Sequence, residues 1–169
     1  MIFIHKKDFY STKYSLLKAF KYFPNDILYV KKIIEKEKPD IVLSINNYAN
    51  IIITSVSFLL IVKPKIILTH HNNLNQLIKN RCSFILRQLL KLILPILGKK
   101  ADVHIAVSKG VAKDIAELYR QSDIRFIYNG IKLKEPIKIK RFRKDRNIIS
   151  IARFDEQKNF LTLFAAFAE

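Results

Sequence analysis

From Pro39 onward, short runs of β-branched and apolar residues alternate with longer segments whose apolar positions recur at helical spacing. Strands separated by helices build βαβ units, and βαβ units build a parallel sheet. The runs at residues 40–45, 65–69, 102–107, 124–128 and 147–152 predict strands, and residues 48–61, 74–97, 108–120 and 159–169 predict helices. Upstream, residues 12–23 and 27–38 carry helical patterns separated by Pro24-Asn25-Asp26, a turn and capping signal. The expected fold class is α/β, with a Rossmann-like parallel sheet. The stretch 132–146 is strongly basic, carries Pro136 and follows the turn dipeptide Asn129-Gly130. It predicts a linker between a first domain, residues 1–131, and the opening strand and helix of a second, residues 147–169. The last helix is apolar on most sides, so Leu161, Phe164 and Phe167 are expected to form an exposed face.

Half of the 169 residues are hydrophobic, enough to bury a core. One cysteine, Cys82, excludes an internal disulfide framework and a cysteine-rich zinc site, and favours a reducing, cytoplasmic setting. The apolar run at 51–62 is too short to cross a bilayer, and 84–97 is interrupted by Arg87, Lys91 and Pro95. The first residues lack the pattern of a secretory signal. Lys and Arg number 31 against 14 Asp and Glu, a formal charge of +17 that attracts polyanions. Part of that excess matches the Ile, Lys and Asn usage of an AT-rich genome. Only three glycines occur, Gly98, Gly110 and Gly130, so neither a dinucleotide fingerprint nor a phosphate loop can be built. There is no His-Glu-x-x-His motif and no nucleophile elbow. A nucleic-acid module would need a recognisable reading motif or basic residues clustered with exposed aromatics. No such motif occurs, and Phe84, Phe126 and Phe154 fall at positions expected to be buried.

Ligands of a parallel α/β sheet sit outside the carboxyl ends of its strands. The predicted strands end in Asn46-Asn47, His70-His71-Asn72-Asn73, Ser108-Lys109, Asn129-Gly130 and Arg153. Helix capping accounts readily for Asn46, Asn47 and Ser108. Consecutive strand residues point to opposite faces, so only one of His70 and His71 can enter a given cleft, where it could polarise a substrate hydroxyl or bind a phosphate oxygen. His104 lies in mid-strand and is expected in the core or at an interface. Arg153 ends a strand, and Lys158 returns just before a helix. Two cations at a helix amino terminus suit a diphosphate, although Arg153 could instead pair with Asp155 or Glu156.

Five segments in order, Glu37-Lys-Pro-Asp-Ile-Val-Leu43, Ile66-Ile-Leu-Thr-His-His-Asn72, Ala101-Asp-Val-His-Ile-Ala-Val-Ser108, Ile127-Tyr-Asn-Gly-Ile131 and Ile149-Ser-Ile-Ala-Arg-Phe-Asp-Glu-Gln-Lys-Asn159, resemble the landmarks of glycosyltransferase family 4. The resemblance runs from about Lys31 to the end. It implies a GT-B fold and a retaining hexosyltransferase using a nucleotide-sugar, expected to be a UDP-sugar, without a metal. By the same resemblance, Arg153 and Lys158 hold the donor diphosphate and stabilise the leaving group. His71 is the active-site histidine, with His70 the fallback if the register differs by one. Asn46, Asn72, Ser108, Asn129 and Gly130 complete the cleft-rim candidates. Ala152 stands where the family often has glycine.

The glycine-rich opening of the family and its paired glutamates have no counterpart in this sequence. The chain is therefore expected to be inactive alone, as a truncated frame, as one piece of an enzyme completed by a second chain, or as an inactive membrane-surface or partner-binding derivative. The acceptor implied is a glycan or lipid-linked sugar in cell-surface polysaccharide or lipopolysaccharide synthesis, at the inner face of the membrane. The helix at 75–97 carries Lys79, Arg81, Arg87 and Lys91 among aliphatic residues, a composition suited to an anionic membrane. Its apolar positions spread around most of the circumference, which favours a buried helix with a basic edge.

Overall fold

The computed structural model describes residues 16–121, 123–132, 149–152, 154 and 158–168, with side chains from Tyr22 onward except at position 81. The chain divides into two compact units, Met1–Gly130 and Ile131–Glu169. In the first, α1 (Leu16–Glu37) leads to β1 (Ile41–Ile45), α2 (Asn47–Val56), β2 (Lys65–His70), α3 (Leu74–Arg81), α4 (Phe84–Gly98), β3 (Val103–Ala106), α5 (Lys109–Tyr119) and β4 (Ile124–Phe126). The four strands form one sheet in the order β1-β2-β3-β4, every pair parallel. Each strand returns to the sheet through helix, as parallel neighbours require.

The strand period sorts β2 into two faces. Ile66, Leu68 and His70 are buried, while Ile67 and Thr69 on the opposite face are half-buried. The buried face lies under the helices: Ile66 and Leu68 join Ile34 of α1 and Ile52, Ile53 and Val56 of α2 in one cluster. Beside it, Ile78 of α3, Leu94 and Leu97 of α4 and Ile115, Leu118 and Tyr119 of α5 make a second. Gly98 permits the closest approach there, since a Cβ at that position would stand 2.4 Å from Tyr119 Cδ1. On the other face Ile41, Leu43 and Ile45 of the edge strand β1 are about half exposed.

The helices depart from the sequence expectation in three places. Pro24 does not divide α1. Phe23, Ile27, Val30 and Ile34 share one face at spacings of four, three and four and bury it against the α2 cluster. Asp26, buried at the expected break, accepts a hydrogen bond from Tyr48 Oη at 3.0 Å. This packing outweighs the one backbone bond that a proline forfeits.

The helix expected over 74–97 is two helices. Cys82 is extended, Ser83 Oγ accepts from the Leu86 amide, and Arg87 Nε donates to the Cys82 carbonyl at 2.9 Å. Cap and guanidinium together satisfy backbone groups freed by the break. α2 stops at Val56 rather than 61. Thr54 Oγ1 donates to Asn50 O at 2.7 Å and Ser57 Oγ to Thr54 O at 2.7 Å, so hydroxyls compete for the carbonyls of the last turn.

In the second unit, α6 (Phe160–Ala168) forms where a helix was expected. Leu161, Phe164 and Phe167 are 82%, 58% and 55% exposed, the apolar face anticipated from the sequence. Of the strand expected over 147–152, residues 149–152 are described, and they are exposed and unpaired. Parallel pairing needs a neighbouring strand, and none of the described residues of this unit provides one. Residues 133–146 of the basic stretch lie outside the described residues.

Candidate functional site

Because the strands are parallel and in register, their carboxyl ends fall along one edge. Ile45 pairs with Thr69, His70 with Ala106, and Ala106 with Phe126. Asn46, His71, Ser108 and Asn129 follow those ends, so the first unit brings these rim candidates to one edge of the sheet.

The two adjacent histidines have different surroundings. His70 is fully buried, its ring stacked on His104 with centroids 5.4 Å apart and planes 7° apart, and Tyr119 meets both rings edge-on or tilted. His104 Nε2 lies 3.0 Å from the Gly98 carbonyl, which can only accept, so Nε2 carries the hydrogen. His104 Nδ1 then accepts from His70 Nε2 at 3.2 Å, and His70 Nδ1 faces Asn50 Nδ2 at 3.5 Å. Burial, with His104 and His71 adding to it, pulls His70 down from 6.5 to about 3. Burial also lowers His104, against the opposing pull of its Gly98 bond. Both rings are therefore neutral at pH 7, and His70 is spent on the core together with His104, as expected for the latter.

His71 is half-buried just beyond the strand, its Nε2 3.3 Å from Thr69 Oγ1. His71 is thus the member of the pair that reaches the rim. Neighbouring elements hold its base. Asn50 Nδ2 donates to Thr69 O at 3.0 Å, Val107 N donates to His70 O at 3.1 Å, and buried Asp114 accepts from the Asn75 amide at 3.1 Å. These supports span 19 to 39 residues and have no local sequence signal.

The other candidates separate in the same way. Ser108 caps α5 through Val111 N at 3.2 Å, and Asn73 caps α3 through Gln76 N at 2.7 Å. Asn46 occupies the cap position of α2 but makes no side-chain cap bond. Its backbone, at φ 78 and ψ 154, lies in a region that side chains make costly, of order 1–3 kcal/mol. Capping therefore does not explain Asn46, and its strain marks the rim. Asn47 is the first residue of α2, with Oδ1 buried and unpartnered among the described residues. Asn72, Asn129 and Gly130 are exposed.

Arg153 lies outside the described residues. Lys158 is exposed two positions before α6, and Asn159 Oδ1 accepts from Thr162 Oγ1 at 2.9 Å in the first turn. Among the described residues, no cluster of three or more His, Cys, Asp or Glu side chains could hold a metal.

A parallel Rossmann-like sheet places its ligand crevice outside the carboxyl ends of its strands, the edge at which these polar side chains gather. A family model described as Glycosyltransferase Family 4 matches residues 4–135, and the chain belongs to that family. A search of curated proteins gives no match.

Proposed function

We propose that the chain serves a retaining hexosyltransferase that moves a sugar from a nucleotide-sugar, a UDP-sugar by expectation, to a glycan or lipid-linked acceptor in cell-surface polysaccharide or lipopolysaccharide synthesis. The observation that carries this reading is His71 at the carboxyl edge of a family 4 sheet, with its neighbour His70 taken up by the core. In the transfer, the bond from sugar C1 to the diphosphate oxygen breaks and its electron pair leaves with the nucleoside diphosphate. The acceptor hydroxyl oxygen bonds C1, and its proton leaves on the released diphosphate. Arg153 and Lys158 are assigned to hold that diphosphate and offset the charge that develops on it. Binding of UDP and UDP-sugars to the purified chain, beside a folded Arg153→Ala, Lys158→Ala variant, tests the assignment. Loss of binding in the variant supports it, and undiminished binding removes both cations from the site.

A second observation favours work at a membrane surface, by expectation the inner face. On α4, Ile85, Leu89, Leu92 and Ile96 recur at spacings of four, three and four and are between 48% and 73% exposed. This is an outward apolar stripe, not the buried helix that composition favoured. Phe84 and Ile93 widen it, and Lys79, Lys91 and Lys99 are exposed on or beside the helix. No helix among the described residues is long and apolar enough to span a bilayer. An apolar stripe edged by lysines suits shallow insertion among anionic headgroups. Co-sedimentation with anionic vesicles, lost in Leu89→Ser, Leu92→Ser and absent with zwitterionic vesicles, is the expected result. Vesicle binding without any nucleotide binding would instead support an inactive membrane-surface or partner-binding domain.

A further inference from the structure

Thr69 and His71 stand two residues apart at the end of β2 and share the face turned away from the helical core. The Thr69 hydroxyl has one hydrogen and donates it to the Ser44 carbonyl across the sheet at 3.0 Å. A carbonyl oxygen only accepts, so this bond has no reverse. The second contact of the same hydroxyl, 3.3 Å to His71 Nε2, therefore uses an oxygen lone pair, and the ring nitrogen supplies the hydrogen. His71 Nδ1 makes no hydrogen bond to the described residues. The arrangement is held from both sides, because the Thr69 and His70 carbonyls are bound by Asn50 of α2 and the amide of Val107.

We propose that Thr69 is a positioning residue that fixes His71 in its Nε2–H form and leaves Nδ1 as the open acceptor. With its one ring hydrogen on Nε2, His71 then accepts a hydrogen bond from a hydroxyl at Nδ1 and does not bind a phosphate oxygen there, which would need a hydrogen on Nδ1 as well. That consequence rests on the reading of His71 as the sugar-facing side chain. The tautomer itself can be read without any ligand.

The test is a long-range 1H–15N spectrum of the histidine rings of the full 169-residue chain near pH 7.5, with His71 assigned through His71→Gln. Wild type and Thr69→Ser should both show His71 protonated on Nε2. Thr69→Val should lower the ratio of Nε2–H to Nδ1–H by roughly fivefold, the factor set by one net hydrogen bond of about 1 kcal/mol. His70 and His104, fixed by the Gly98 carbonyl, should keep their forms and report an intact core. A wild-type His71 mainly protonated on Nδ1 would overturn the proposal, and this arm does not require the variant to fold. So would a folded Thr69→Val chain with an unchanged ratio. Failure of UDP binding would overturn the assignment of the diphosphate site and leave these ring spectra unchanged.

Discussion

His70 and His71 are neighbours in sequence with opposite surroundings. One closes a neutral, buried chain from Asn50 through His104 to the Gly98 carbonyl, and the other stands half-buried at the rim against Thr69. The difference is the strand period: a step of one residue moves a side chain from the helix-covered face to the opposite one. The same residue type thus contributes to stability at one position and is available for recognition at the next.

The largest test of this contrast is alanine at each position. His70→Ala removes a fully buried ring and leaves His104 Nδ1 without its donor and Asn50 Nδ2 with the Thr69 carbonyl alone, and should cost about 2–4 kcal/mol in urea unfolding. His71→Ala should cost about 1 kcal/mol or less. Equal losses would end the distinction.

Gly98→Ala probes the wall of the buried site from behind. Its added methyl meets the buried Tyr119 ring, and the shift needed should cost about 1–3 kcal/mol and raise the exchange rate of the α4 and α5 amides. An unchanged melting temperature would contradict the tight approach.

The pH dependence sharpens the comparison further. The folded pKa of His70 is about 3, and that of His104 is lowered, so the unfolded chain binds more protons as pH falls below 6.5. Their neutral-state stability is present above that pH and is lost progressively below it, by about 1 kcal/mol for His70 between pH 7 and 5.5, with His104 acting in the same direction. Unfolding free energies across that range should carry this slope in wild type and in His71→Gln. A His70→Leu, His104→Leu chain should lose most of it.

The smallest expected effect lies at the rim. Asn46→Gly relieves a positive-φ backbone and should raise stability by up to about 1 kcal/mol, offset by the freedom glycine gains in the unfolded chain. A thermal melt checks it, and destabilisation would mean that the Asn46 side chain contributes more than its backbone costs.

The sheet was legible because its strands are β-branched runs bounded by polar turns, and residue 70 or 71 stood out because two histidines at a strand end are hard to assign to packing alone. The residues alone left the choice between them open, and only the family resemblance put His71 first. The choice depends on His104, 34 residues away, and on Asn50, 20 residues away, which only the folded sheet brings to His70. Thr69 was passed over because an ordinary strand threonine gives no local sign that its hydroxyl bridges a neighbouring carbonyl and a ring. α3 ends at Arg81 and Ser83 caps the start of α4 without a glycine or proline between them, so the run of aliphatics around the break read as continuous and hid the outward stripe of α4.

The most direct measurement is a titration of the full chain with a UDP-sugar while the ring signals of His70, His71 and His104 are followed together. The account predicts a saturable shift of His71, with His70 and His104 almost unmoved. Saturable binding that leaves His71 unshifted, or that moves the buried pair instead, would contradict it.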